Sequence, residues 1–286
     1  MKLQFFSTNW GLEHMTYTAF IEKARDAGYD GVEIKIPDRP EIKDEIRAAI
    51  LKYDMLLIAQ HVEAKFESLF PGHIKKFESH LLHLAEMNPI FINSQSGKDY
   101  FTFEENSKII ERAFEIEGKT GVSIVHEIHR GKFTFAPVLI GKYLEAWPQL
   151  KLAADFSHWV NVSESTMQDP VQAQIIDRVA KHTKHMHARI GFEEGPQVND
   201  PRAPEWKYIV DIHLNWWLKL AKQAKREGRE TFTITPEFGP YPYMPQLPFT
   251  KVPVTNQWEV NLHMMNLLRE FLTNNLNLQT AELNHL

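Results

Sequence analysis

The fold of this chain is indicated most clearly by residues 122–130, which read VSIVHEIHR. β-Branched residues dominate the first half of this stretch, and a polar group containing Glu127 and His129 closes it. Alternation along a strand places these two side chains on the same face as Val125 and places His126 on the other face. An unpaired charge in a protein core costs on the order of several kcal/mol. We therefore expect a buried strand whose acidic end is neutralised by a partner, and a divalent cation is the first candidate.

Similar short strands recur along the whole chain and alternate with amphipathic helical patterns. Helix starts are marked by capping patterns such as Thr102 with Glu105 and Asn256 with Glu259. Strict alternation predicts a parallel sheet, and eight units predict a closed (β/α)8 barrel. An open doubly wound sheet is the alternative, but no G-x-G-x-x-G follows the first strand. The strand-like stretches are residues 3–10, 31–36, 55–62, 89–95, 122–130, 150–156, 185–190 and 231–238.

The composition bounds the domain organisation and the partners. The chain has 286 residues with no composition break, so we expect one barrel domain over residues 1–286. A net charge of -5 does not favour binding to the anionic backbone of nucleic acid. No apolar run approaches the roughly 18 residues of a membrane span. The first ten residues turn polar too soon for a signal peptide. The lack of cysteine excludes disulfides and thiolate ligands and fits a cytoplasmic protein, and a homo-oligomer is left open.

Two long loops follow the last two strands. Residues 191–205 follow the seventh strand and residues 239–255 follow the eighth. Both leave carboxyl ends of strands, which is the face where barrel enzymes keep their sites. Because both are rich in proline and aromatic residues, we interpret them as a semi-rigid rim or lid over that face. A plain surface loop is the alternative.

Four residues with metal-binding side chains end four successive strands. They are Glu127, Asp155, His187 and Glu237. In a barrel the carboxyl ends of all strands meet at one mouth, so we expect these side chains to converge. Three carboxylates and one imidazole suit one divalent ion, Mn²⁺, Co²⁺, Mg²⁺ or Zn²⁺. Such an ion would also neutralise three buried acids.

The same strand ends resemble a known superfamily. The motifs HEIHRG, AADFSHW, HMHARIG and TPEFGP are similar to those of the xylose-isomerase-like barrels. That group contains sugar and sugar-phosphate isomerases and epimerases, inosose-type dehydratases and endonuclease IV. The resemblance covers nearly the whole chain and implies a (β/α)8 barrel with a metal site.

The resemblance also implies roles for individual residues. By likeness to the ketose 3-epimerases, Glu127 and Glu237 bind the metal and act as the acid/base pair, while Asp155 and His187 are ligands only. The expected substrate contacts are His158 and Arg189 from the resemblance, together with His129, His61 and Trp10, for which packing is the alternative role.

Differences between this chain and members of the superfamily limit which of their reactions we expect. Hydride-shifting xylose isomerases have a lysine where this chain has His129, and acids where it has Ala188 and Arg189, so one metal and proton transfer are favoured. Strand four ends in Asn93 and Gln95 rather than in the histidines of endonuclease IV.

We therefore expect a sugar, sugar-phosphate or polyol isomerase or epimerase that works through an enediolate. The alternatives are a dehydratase or lyase, an endonuclease IV-like phosphodiesterase and a non-catalytic sugar-binding barrel. Glu33 and Lys35, at the end of strand two, are expected to contact substrate or to form an internal ion pair.

Overall fold

A computed structural model of the chain describes residues 1–62 and 69–278, and its centre is a closed barrel of eight parallel strands. Each strand pairs with its neighbours in chain order, and β1 also pairs with β8 to close the barrel. The predicted (β/α)8 barrel is confirmed and the open sheet is excluded. The strands are β1 (Lys2–Thr8), β2 (Gly31–Ile34), β3 (Leu56–Val62), β4 (Phe91–Gln95), β5 (Ile124–Glu127), β6 (Leu152–Ala154), β7 (Thr183–His187) and β8 (Thr231–Thr235).

Helices surround the barrel, and their starts follow the capping rules. The Thr102 hydroxyl accepts from the Glu105 amide at 3.1 Å, and Glu105 accepts from the Thr102 amide at 2.9 Å, which confirms the predicted capping box. Within the described residues, no helix is both long enough and apolar enough for a bilayer. The helices are α1 (Tyr17–Asp26), α2 (Pro40–Tyr53), α3 (Phe70–Ala85), α4 (Phe103–Thr120), α5 (Pro137–Ala146), α6 (Phe156–Ser163), α7 (Pro170–Ala180), α8 (Lys207–Arg226) and α9 (Gln257–Leu276).

The sixth and seventh strands differ from their predicted bounds. Strand β6 ends at Ala154, and α6, which the sequence pattern did not predict, begins at Phe156. Asp155 caps this helix by accepting a hydrogen bond from the amide of Ser157 at 3.0 Å. Aspartate is a favoured N-cap, so the chain turns directly from strand to helix. Strand β7 runs from Thr183 to His187, so it starts and ends earlier than the predicted stretch of residues 185–190.

The barrel interior is divided along its axis. An apolar cluster of Phe6, Ile58, Phe91, Val125 and Ala153 fills one layer. Glu127 follows Val125 by two residues on the same face of β5, so it lies in the next layer toward the carboxyl ends of the strands. The larger apolar core lies between the strands and the helices. This arrangement puts the polar strand ends together above an apolar floor.

Candidate metal centre

The four predicted ligand residues come together inside the mouth of the barrel. Glu127 ends β5, Asp155 follows β6, His187 ends β7 and Glu237 follows β8. Each offers one ligand atom, and these four atoms all lie within 4.8 Å of one another. All four side chains are buried. The donor set, three carboxylates and an imidazole, is one that Mn²⁺, Co²⁺, Mg²⁺ and Zn²⁺ accept.

The hydrogen bonding of His187 provides a test of whether this group fits a cation. Nε2 of His187 lies 3.0 Å from Glu33 Oε1, so this nitrogen carries a hydrogen and donates it. Nδ1 is buried and lies 3.0 Å from Glu237 Oε2 and 3.9 Å from Glu127 Oε1, and no group of the described residues donates a hydrogen bond to it. A nitrogen lone pair facing two carboxylates is repelled unless a positive charge lies between them. The residues therefore fit a divalent ion on the Nδ1 side of the ring.

The charge balance of the group leads to the same conclusion. Burial raises the pKa of Glu127 to about 8; nearby His187 opposes this, and Glu237 and Asp155 add to it. Burial alone would lower the pKa of His187, but Glu237, Glu33 and Glu127 together raise it well above its usual value. Without a metal, protons on Glu127 and His187 therefore take the place of the missing cation charge.

Glu33, on β2, is a member of the site that the sequence reasoning left undecided. It is fully buried and accepts from Asn93 Nδ2 at 2.7 Å and from Thr235 Oγ1 at 2.6 Å, besides contacting His185 Nε2 at 3.1 Å. Lys35 is exposed, so the internal ion pair, one of the two alternatives for these residues, does not form. Burial raises the pKa of Glu33, but His187 and His185 outweigh it and hold the pKa well below its usual value. Glu33 thus links two histidines of β7 as a carboxylate.

Side-chain amides orient two of the acids. Gln60 Nε2 donates to Glu237 Oε1 at 3.1 Å. Asn93 Nδ2 and Gln95 Nε2 donate to the two oxygens of Glu127 at 3.0 and 3.2 Å. Strands β3 and β4 thus contribute neutral donors to the mouth. These donors hold the carboxylate planes without supplying further strong metal ligands.

Arg189 and His158 lie on the other side of Asp155. Asp155 Oδ2 accepts from Arg189 Nη2 at 2.5 Å, and the same nitrogen lies 2.7 Å from His158 Nε2. Since arginine only donates, His158 Nε2 is an acceptor and Nδ1 carries the hydrogen. Burial, followed by His129, Arg189 and Arg130, holds the pKa of His158 well below its usual value, so the ring is neutral. Its buried Nδ1–H has no hydrogen-bond partner among the described residues, so this donor is available.

The other predicted substrate contacts divide into two groups. The rings of His129 and His158 have centroids 3.9 Å apart, and the Trp10 ring lies 6.0 Å from the Arg189 guanidinium carbon, so both residues border the mouth. His61 is not brought to this group. Its ring points out of the barrel toward Phe77 and Ser94 Oγ, the latter 2.8 Å from Nδ1. By alternation its neighbour Gln60 faces inward instead.

The two long loops are tied to each other beside the mouth. Gln197 exchanges two hydrogen bonds with the backbone of Gly239, at 2.7 and 3.2 Å, and Thr255 Oγ1 donates to Asp200 Oδ2 at 3.0 Å. The Trp10 ring packs against Gly239 so closely that a Cβ there would lie 2.3 Å from the indole. These contacts support the interpretation of a semi-rigid rim.

Comparison with known proteins gives no match at the level of sequence families. No protein-family model matches the chain, and no curated protein matches it. Solved structures do match along nearly the whole chain.

A D-tagatose 3-epimerase-like protein is 12% identical, with a TM-score of 0.61, and the match covers 97% of this chain and 99% of that one. A xylose isomerase domain protein from Alicyclobacillus acidocaldarius is also 12% identical, with a TM-score of 0.61 and coverage of 96% and 99%. An AP endonuclease of family 2 from Brucella melitensis is 14% identical, with a TM-score of 0.56 and coverage of 83% and 93%. Identity this low establishes the fold and not the reaction. The chain therefore shares the closed (β/α)8 barrel fold of these solved structures, as its alternation of strands and helices predicts.

Proposed function

We propose that the protein is a divalent-metal-dependent isomerase or epimerase of a sugar, sugar phosphate or polyol. The observation that carries this proposal is the buried group of three acids around His187, whose Nδ1 faces Glu237 and Glu127. Mn²⁺, Co²⁺, Mg²⁺ or Zn²⁺ would be held by Glu127, Asp155, His187 and Glu237. When bound, such an ion polarises a carbonyl and stabilises negative charge on its oxygen. The neutral donors of β3 and β4 support one ion rather than several.

The two glutamates, Glu127 and Glu237, would carry out the proton transfers. A hydrogen on carbon next to a carbonyl is a weak acid, so its removal needs a positioned carboxylate. Glu127 ends β5 and Glu237 follows β8, and two strands separate β5 from β8 in the barrel, so the two carboxylates can address one carbon from different sides. One carboxylate removes the proton to give an enediolate and the other returns a proton. His158 Nδ1–H would donate to a substrate hydroxyl, and the loop rim, with Trp10, would limit the access of water.

A dehydratase or lyase would use the same residues differently. The second carboxylate would then protonate a leaving hydroxyl group instead of carbon. A probable 3-DHS dehydratase from Bacillus anthracis matches this fold at 13% identity with a TM-score of 0.56. The products distinguish the two reactions, since dehydration leaves an unsaturated compound and epimerisation leaves an isomer.

The direct test is hydrogen exchange between substrate and solvent. A panel of ketoses, ketose phosphates and polyols is incubated with metal-loaded protein in D₂O, and deuterium incorporation is followed by NMR. We expect incorporation at a carbon next to a carbonyl and a loss of at least about 100-fold in Glu237→Gln, since a positioned general base contributes 10²- to 10⁴-fold.

The control is Glu259→Gln, an exposed glutamate in the first turn of α9. It keeps the charge change but lies outside the mouth, so exchange should remain at the wild-type rate. Full exchange in Glu237→Gln would contradict the role of Glu237. Tight sugar binding without exchange from any compound would favour a binding protein.

A further inference from the structure

Two arginines at the mouth of the metal centre pack against the same aromatic ring. The guanidinium carbon of Arg130 lies 5.2 Å from the centroid of Tyr243, and that of Arg189 lies 4.9 Å from it. Arg130 follows β5 and Arg189 follows β7, so both lie at the carboxyl ends of strands. Tyr243 belongs to the loop of residues 239–255, so this loop packs against both guanidinium groups.

The two arginines differ in how their charge is compensated. Arg189 is paired with the carboxylate of Asp155. Arg130 donates only to neutral groups, Tyr243 Oη at 3.0 Å and Asn161 Oδ1 at 3.4 Å. In residues 1–62 and 69–278, no carboxylate oxygen lies within 4.0 Å of Arg130. The side chain is nevertheless half-buried, and a partly desolvated charge without a counter-ion is unfavourable by itself.

The residues beside Arg130 do not supply the missing negative charge. Burial, followed by the charge of Arg189, lowers the pKa of His129 to about 3, and the neighbouring His158 is also neutral. The fixed charge on this side of the mouth is therefore positive, while the acids lie in the layer of the metal centre. A substrate that spans both would present its carbonyl to the acids and an anionic end to Arg130.

We propose that Arg130 binds an anionic group of the substrate, a phosphate or a carboxylate, while the carbonyl end of the same molecule lies at the metal centre. This inference rests on the proposed function. The planar guanidinium group binds both anions through charge-assisted hydrogen bonds. The Nε–H of Arg130, which makes no hydrogen bond to the described residues, and the weakly held Nη1 are the available donors. Arg189 stays on Asp155, so the two arginines have separate roles.

The test compares charged and neutral sugars of the same skeleton. Binding to manganese-loaded protein is measured by isothermal titration with D-fructose and D-fructose 6-phosphate, and with D-glucose and D-glucuronate, so the phosphate and carboxylate arms are separate. We expect one charged compound to bind at least about 10-fold more tightly than its neutral partner. Arg130→Gln should reduce that preference by about 10- to 100-fold, the range of a hydrogen bond to a charged group.

Two further variants separate the role of Arg130 from net charge and from folding. Arg25→Gln removes the same charge from exposed α1, where Arg25 pairs with Asp26 at 2.9 Å, and should leave the preference unchanged. Arg130→Lys keeps a positive charge without the planar fork and should retain part of the preference. Unfolding temperatures confirm that each variant is folded.

The inference is overturned if wild-type protein binds neutral and charged partners equally, or if Arg130→Gln weakens both equally. Its failure is distinct from failure of the proposed function. Deuterium exchange into neutral sugars without any preference for charged ones removes the inference alone. Lack of exchange in every sugar removes the proposed function.

Discussion

Metal binding should release protons from the protein, and the affinity for metal should therefore rise steeply with pH. In the metal-free protein the pKa of Glu127 is about 8, because burial opposes its charge, and three carboxylates raise the pKa of His187 well above its usual value. We therefore expect both groups to hold a proton at pH 7 when no metal is bound. Both protons must leave before the carboxylate and Nδ1 can bind an ion.

The size of the effect follows from the number of protons. Release of two protons makes the apparent association constant rise about 100-fold per pH unit, from pH 6 to about pH 7. Above about pH 8 the slope should fall as Glu127 loses its proton in the metal-free protein. Titrations of Mn²⁺ in buffers with different heats of ionisation count the protons directly. A slope below one proton, independent of the buffer, would refute the charge balance described for the site.

Stability in the absence of metal should show the opposite trend. The folded pKa of Glu127 is raised above the unfolded value, so its contribution to stability is present below pH 4.5 and is lost as the pH rises through about 8. His187 has the same sign, with its contribution lost as the pH rises through its raised pKa. Thermal unfolding in a chelator should therefore show lower stability at pH 8 than at pH 6. With saturating Mn²⁺ the metal-induced increase in Tm should be larger at pH 8 than at pH 6.

Two substitutions test other parts of the site. Glu33→Gln removes the carboxylate that contacts Nε2 of the predicted ligand His187 and should weaken Mn²⁺ binding about 10- to 100-fold in a competition titration. Glu41→Gln on exposed α2 should leave the affinity for Mn²⁺ unchanged, and equal affinities of the two variants would show that Glu33 has no orienting role. Gly239→Ala places a methyl group 2.3 Å from the Trp10 indole and should lower the free energy of unfolding by about 1–3 kcal/mol in urea. The matched change Gly118→Ala, with open space around the added Cβ, should not destabilise the protein; the same loss in both variants would contradict steric conflict at the rim.

The barrel could be predicted from the sequence because the pattern of a strand followed by a helix occurs eight times. Eight apolar stretches alternate with amphipathic helices, so an error at one boundary, such as the unpredicted α6 after β6, leaves the topology unchanged. The convergence of the predicted ligands also follows from topology, because residues at the carboxyl ends of parallel strands share one mouth. Asp155 could be placed there even though β6 ends at Ala154, two residues earlier than expected.

The parts of the site that sequence reasoning missed depend on which way a side chain faces. Strand β3 carries Gln60 and His61 side by side, and the histidine, as a metal-binding type of residue, was the natural choice for the mouth. The barrel turns Gln60 inward to Glu237 and His61 outward to Ser94. Two adjacent polar residues do not reveal the phase of a strand, because either register keeps one of them buried.

Glu33 shows the physical limit more clearly. Its stretch, GVEIKI, contains an acid and a lysine at alternate positions. This pattern fits an ion pair between the two as well as it fits a buried carboxylate that contacts a predicted metal ligand. Only the closed barrel brings β2 across from β7, and there the carboxylate contacts His185 and His187. A carboxylate that accepts from Nε2–H fixes the tautomer and would leave Nδ1 for the ion, so we expect metal affinity to depend on a residue that is distant in sequence from every predicted ligand. A hydrogen bond between strands so far apart in the chain leaves no pattern in a single sequence, and for this reason the orientation of a metal site is harder to predict than its ligands.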